Sequence, residues 1–362
     1  MKILFCGDVM PGGVLPYQTQ YINQHLLSFL NTFDYRIGTL ECPIGTDDMP
    51  FDEVKMQGRC NIIYARENDF FRLKEMAFNV VSLANNHVMD LGEAGLRNTI
   101  KLLDDNGIKY CGAGLNIQEA SRPAVIEKDG LTVAVLAYCM YGNKYLGHVR
   151  LAKENEAGVN PLDVDKVVMD VREAKKRYDK VIVMPHWGRE YKYEPMSECV
   201  DMARQMVKAG ADAVLGSHTH QIQPLVRIKG KPVCFSMGNF LFPDFYMCPP
   251  RPIWYPHTVD EVNGIKDVEG YPYPIEEPIK QVWNPVSRYG CTVGLTIHKG
   301  GALDVDTRFV HSSADNVESI AELGPEMLKQ LKNASLMITN FPFRVGVKVK
   351  RKVSKLVRGI VK

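Results

Sequence analysis

Val80-Val-Ser-Leu-Ala-Asn-Asn-His-Val-Met-Asp90, continuing as Leu-Gly-Glu-Ala-Gly-Leu-Arg-Asn-Thr-Ile-Lys-Leu-Leu-Asp-Asp-Asn106, decides the fold class. The opening residues, Val80–Ala84, form a short apolar run of the kind that makes a buried strand. The closing stretch, Gly92–Asn106, places Leu96, Ile100 and Leu103 at i, i+4 and i+7, on one helical face. Between strand and helix stands a polar turn that carries Asn86, His87 and Asp90. A strand that runs through such a turn into an amphipathic helix is the repeating unit of an α/β protein.

The alternation continues on both sides. Ile3–Cys6, Arg36–Leu40, Val133–Tyr138, Val181–Pro185 and Ala213–Leu215 read as further buried strands. Helical patterns fall over Asn68–Met76, Val164–Tyr178 and Ser197–Ala209. Later runs, Leu225–Ile228, Val233–Met237, Thr292–His298 and Ala302–Phe309, lack intervening helices. Lys229-Gly230-Lys231 and Lys299-Gly300-Gly301 look like hairpin turns between them. They predict antiparallel strands added to the same core. Pro243–Pro285 is rich in Pro, Tyr and Trp, shows no period, and reads as a lid or binding loop. A last helical pattern covers Asn316–Asn333. The organisation expected is one domain over 1–312, with an insertion over 243–285. A helical segment over 313–342 and a tail over 343–362 follow.

At 362 residues, 45% hydrophobic and 24% charged, the chain has the make-up of an ordinary soluble protein with a sizeable core. Its net charge of +2 argues against a polyanion-binding body. Nine scattered cysteines without CxxC spacing suggest reduced thiols in a cytosolic setting, not a disulfide framework or zinc finger. The opening MKILFCGD reaches an acidic residue too soon for a signal peptide. No apolar stretch approaches the ~18 residues that span a bilayer. The tail differs from the rest. Phe343–Lys362 holds Arg344, Lys348, Lys350, Arg351, Lys352, Lys355, Arg358 and Lys362 with no acid. As a helix it would align Val349, Val353, Leu356, Val357 and Ile360, a pattern that suits an anionic membrane surface. A frayed, solvated terminus is the other reading. Nucleic acid is a poorer partner, since no recognisable module accompanies the tail. The location expected is cytoplasmic, with peripheral attachment at the inner face of the membrane if the tail binds lipid.

Five segments bring metal-ligand residue types to strand ends: Asp8 in CGD, Glu41 in LECP, Asn86 and His87 in ANNHVMD, His186 in PHWG, and His218 with His220 in GSHTH. In α/β sheets, sites form outside the carboxyl ends of strands, so the five can converge. Imidazoles and carboxylates in this combination hold divalent cations and leave room for water. Two cations about 3.5–4 Å apart can clamp attacking and leaving oxygens, with Glu41 as a bridge. Each residue alone has a plainer explanation: a turn cap at Asp8, a surface acid at Glu41, turn formers at Asn85 and Asn86, a packed pair at His186 and Trp187. Gly-x-His-x-His is more specific, because residues two apart in an extended segment point the same way.

GDVMPGG, TLECPI, LANNHVMDLGEAGL, MPHWGREY, GADAVLGSHTHQIQPL and FSMGNFLF together resemble the CapA family, named for poly-γ-glutamate capsule synthesis and related to the calcineurin-like metallophosphoesterases. The match covers about residues 1–242. The resemblance implies a metallophosphatase-like β-sandwich of two mixed sheets flanked by helices, in four layers αββα, with the site at one edge. It implies one or two divalent ions (Mn, Zn or Fe) on Asp8, Glu41, Asn86, His186, His218 and His220, with His87 assisting the transition state. The family's N-terminal membrane anchor is expected to be absent here, and the tail to replace it.

Two departures stand out. Asp8 is followed by Val9 and Met10 where the phosphoesterase pattern has Asp-x-His, which leaves one metal position short of a nitrogen. The acid after Asn-His is displaced to Asp90, either to support His87 or to cap the next helix. Glu190 is a further candidate carboxylate, though a solvated loop position is the simpler expectation. Arg189 and Lys192 are candidates to meet an anionic polymer or a small anionic substrate. Two functions follow: a metal-dependent hydrolase of capsule or exopolymer production, acting on a phosphoester or a γ-glutamyl amide, or a non-catalytic scaffold of a membrane-associated synthesis complex.

Overall fold

The computed structural model describes residues 1–57, 61–142, 147–248, 251–270 and 275–340. The basic tail over 343–362 lies outside the described residues. Two large mixed sheets form the framework, and apolar side chains of both join one continuous core. In the eight-stranded sheet, Lys2–Val9 is central. It pairs in parallel with Tyr35–Leu40, which continues to Val80–Ser82 and Lys109–Cys111. On its other side it pairs antiparallel with Tyr289–Ile297, then Leu303–Ser312 and Glu318–Ala321. Asn239–Leu241 pairs in parallel with its carboxyl end.

The six-stranded sheet carries Leu131–Cys139, Lys180–His186, Ala213–Leu215 and Lys231–Cys234 in parallel, with Ala124–Lys128 and Leu225–Ile228 as antiparallel edges. The central strands are buried along almost their whole length, as strands covered on both faces must be. Helices Val164–Lys175 and Ser197–Ala209 lie against this sheet. Their buried faces, Val167/Val171/Ala174 and Cys199/Ala203/Met206, follow the helical repeat. The Gly92–Asp105 helix flanks the other sheet and buries Leu96, Thr99 and Leu103. The architecture is therefore the mixed α/β arrangement of two sheets flanked by helices. None of the eight described cysteines forms a disulfide. Among the described residues, no helix is long and apolar enough to cross a membrane.

Two readings of local structure need correction. The segment taken as one helix over Asn316–Asn333 divides into a strand, Glu318–Ala321, and a helix, Pro325–Asn340. Pro325 cannot sit inside a helix, but its fixed φ suits the first turn, so the helix begins there. The insertion is not irregular: Phe245–Cys248, Arg251–Trp254, Lys266–Glu269 and Ile279–Val282 form a four-stranded sheet of their own. It is pinned to the body by Tyr255, whose hydroxyl donates to Tyr64 O at 2.6 Å and accepts from Gly13 N at 3.1 Å. Its last aromatic residue, Trp283, packs 4.8 Å from the His220 ring and 5.1 Å from Phe242. The insertion thus supplies a fixed aromatic wall beside the candidate site.

Candidate metal centre

Asp8, Glu41, Asn86, His186, His218 and His220 all lie at or just beyond the carboxyl ends of parallel strands, and all are buried. Asp8 sits where the register of Lys2–Val9 shifts against both parallel neighbours. The shift brings its backbone to Gly238, with Asp8 N donating to Gly238 O at 2.9 Å. Glu41 follows directly on Tyr35–Leu40, and its N–H donates to Val9 O at 2.9 Å. Asn85 shapes the next turn. Its Oδ1 accepts from His87 N and Val88 N at 2.9 and 2.8 Å, and its Nδ2 donates to Leu40 O at 2.8 Å. It thereby ties the Asn86 turn to the Glu41 strand.

The two sheets meet at His186. Its Nε2 lies 2.8 Å from Asn86 Oδ1 and 3.2 Å from Glu41 Oε1, both contributed by the other sheet. Its Nδ1 meets Ser217 Oγ at 2.9 Å, and Thr39 donates to that oxygen at 3.2 Å. The His218 ring is 4.8 Å from the His186 ring. Glu41, His186 and His218 offer ligand atoms all within 4.8 Å of one another, and so do Asp8, Glu41 and His220. Glu41 belongs to both groups. Gly-x-His-x-His does not act as an extended strand, however. His218 and His220 have φ of 97° and 49°, left-handed values rare for side-chain-bearing residues. The rings reach the site because the backbone turns, not because the two residues alternate along a strand.

Outside the ligand set, His87 Nδ1 lies 2.7 Å from Asp90 Oδ2, which also accepts from Ile63 N at 2.8 Å. Asp90 therefore supports His87 and does not cap the following helix, whose N-cap makes no side-chain bond. With Nδ1 donating to Asp90, a neutral His87 presents Nε2 as an acceptor. Lys55, from the short helix Glu53–Gln57, donates to the second Asp90 oxygen. Arg189 and Lys192 are exposed. Glu190 is only partly exposed, contrary to the solvated position expected, and burial pushes its carboxyl up to about 7.

Sequence reading passed over Ser217, Asn239, Trp283 and Lys55. Ser217 and Asn239 lay within quoted motifs, GSHTH and MGNF, but nothing in a linear sequence marks a residue that orients another's ring. Lys55 stands in a stretch with no pattern at all.

Whether a cation fits is decided by the buried carboxylates. Both Glu41 oxygens and Asp8 Oδ1 are buried without a hydrogen-bond partner among the described residues. The nearby His186 Nε2 directs its bond to Asn86 Oδ1 instead. Burial pushes the Asp8 and Glu41 carboxyls up, and the Asp8 charge raises Glu41 further. Burial holds His186 well below the usual imidazole value and brings His220 down to about 4. Buried carboxylates lacking donors beside neutral imidazoles are the donor set a divalent cation satisfies.

Fold and site together define a mixed α/β protein of two sheets flanked by helices, with side chains at the strand ends that could hold one or two metal ions. The chain belongs to the bacterial capsule synthesis protein PGA_cap family, whose model matches residues 2–244. It is 31% identical over 244 residues to the PGA biosynthesis protein CapA of Bacillus subtilis, covering 66% of this chain and 62% of that protein. It is likewise 31% identical over 251 residues to the capsule biosynthesis protein CapA of Bacillus anthracis, covering 67% and 60%. The chain thus spans about six-tenths of the length of these two curated relatives. Among solved structures, the NAD nucleotidase of Haemophilus influenzae aligns with a TM-score of 0.42 at 13% identity, over 92% of this chain and 55% of that one.

Proposed function

We propose that this protein is a metal-dependent hydrolase acting in the making of a capsule or exopolymer of the poly-γ-glutamate type. The observation that carries the reading is Glu41, a buried carboxylate with no hydrogen-bond donor among the described residues, which is shared by two groups of possible ligand atoms. Asn86, Glu41, His186 and His218 would hold one cation; Asp8, Glu41 and His220 would hold a second. A cation bound there supplies Lewis acidity toward a phosphoryl or acyl oxygen. Ser217 and Asn239 keep the His186 and His220 rings in place. His87 can take up at Nε2 the proton that the attacking water gives up and return it to the leaving group, while Asp90 holds the ring. Arg189 and Lys192 draw an anionic substrate toward the site. The membership in a capsule synthesis family and the CapA names of its relatives support an anionic, amide-linked polymer as the substrate class.

A second reading, a non-catalytic scaffold of the same assembly, draws on Met10. This residue stands where the phosphoesterase pattern has a histidine, and its thioether accepts from Gly12 N at 3.2 Å. One experiment separates the two. Metal content of the purified protein is measured after loading with Mn²⁺, Zn²⁺ or Fe²⁺, and turnover is assayed on phosphodiesters and γ-glutamyl oligomers. At least one ion per chain with hydrolysis of one substrate class is expected. Bound metal without turnover favours the scaffold, and metal well below one per chain sinks the hydrolase.

A further inference from the structure

Lys55 is buried, at 3% exposure, and it reaches the candidate site from outside both large sheets. Its Nζ donates to Asp90 Oδ1 and to the backbone oxygen of Asn86, each at 2.5 Å. The ammonium therefore grips both ends of the Asn86–Asp90 turn at once. The helix that carries it is held to the same turn. Asp52 N donates to Asp90 O at 2.8 Å, and Asp52 Oδ1 accepts from Lys55 N at 3.0 Å. Taking a lysine out of water is costly unless its charge is paired and its donors are used. A short helix at the protein's margin has easier ways to pack than by burying an ammonium. The placement makes physical sense where the turn must be held rigidly, and Asn86 Oδ1 is the atom that faces His186 Nε2 at 2.8 Å.

We propose that Lys55 is a positioning residue of the metal centre, a charged clamp that fixes Asn86 as a ligand and Asp90 as the support of His87. The assignment rests on the metal-centre reading. Outer-shell partners of metal ligands characteristically change affinity by about 10–100-fold when removed, and the same scale is expected here.

The test is titration of the full chain with Mn²⁺ alone, followed calorimetrically. Visible absorption after Co²⁺ loading and thermal melting without metal accompany it. Lys55→Met is expected to weaken Mn²⁺ binding at least tenfold and to alter the Co²⁺ bands, which report ligand geometry. Arg150→Met serves as a control. It removes the pair that Arg150 makes with Asp52 (3.4 Å) just before the same helix, leaves the Lys55 contacts intact, and is expected to bind Mn²⁺ as the wild type does. Should Lys55→Met not fold, Lys55→Gln, which keeps a donor without the charge, is measured with the same expected loss. Wild-type Mn²⁺ affinity and Co²⁺ bands in the variant, even with a lowered melting temperature, would reduce Lys55 to a structural role and overturn the assignment. An equal loss in Arg150→Met would do the same. A wild-type chain that binds no Mn²⁺ removes the metal centre and the clamp together, so the two failures are distinguishable.

Discussion

Asn239 shows how one side chain sets the chemistry of another. Its Oδ1 lies 2.9 Å from His220 Nδ1, while its Nδ2 donates to Ser287 O at 3.0 Å. The second contact fixes which end of the amide faces the ring, so Oδ1 must accept and Nδ1 must carry the proton. His220 Nε2 is then a lone pair, 3.8 Å from Glu41 Oε1. Replacing Asn239 with Ala releases that tautomer. Binding of a second Mn²⁺ is expected to weaken about 10–100-fold while the first is little changed. A calorimetric isotherm in which both phases are unaltered would refute the role. The residues that gather at the candidate site could be picked out in the sequence, because Asp8, Glu41 and His186 each close an apolar run and are hydrophilic residues where a buried strand ends. Asn239 and Lys55 were not. Their importance lies in contacts with residues 19 and 35 positions away, and no local pattern records such a pairing.

The meeting of Lys2–Val9 with Asn239–Leu241 is what carries Asp8 to its place. That approach is possible only without side chains. A Cβ on Gly7 would stand 1.9 Å from Gly238 O, and one on Gly290 would stand 1.8 Å from Asn239 O. Gly7→Ala must push strand backbones apart, where no flexible side chain can yield. Overpacking of this kind costs about 1–3 kcal/mol or more, and a matching loss is expected in urea unfolding. An unchanged midpoint and slope would count against it. Strands were the easier elements to foresee: Ala213–Leu215 and Leu225–Ile228 lie where their apolar or alternating residues predict. The insertion's strands escaped notice because each is four residues long and set among prolines and tyrosines. Such strands gain their order from the sheet they build and the body they dock on, not from periodicity.

At the scale of the whole molecule, Glu318 joins chain segments that are distant in sequence. Its N–H donates to Tyr21 O at 2.9 Å, and its carbonyl accepts from Asn23 N at 2.7 Å. Burial of its side chain outweighs the charge of Arg288 and pushes the carboxyl up to about 8 from an ordinary 4.5. A raised carboxyl favours the fold while protonated. Its contribution is full below about pH 4.5 and is lost as pH rises through about 8. Glu318→Gln, which cannot ionise, is expected to raise the melting temperature at pH 8 and to change it much less at pH 5. An equal shift at both pH values would contradict this. The central place of Lys2–Val9 in its sheet has a last consequence, for biosynthesis. This early strand pairs with Tyr289–Ile297, and Met1 N even reaches Ile297 O at 3.1 Å. Its neighbour on that side is therefore translated some 290 residues later. Until then one edge of a strongly apolar strand stays open, the situation in which nascent chains depend on chaperones and prematurely terminated ones aggregate.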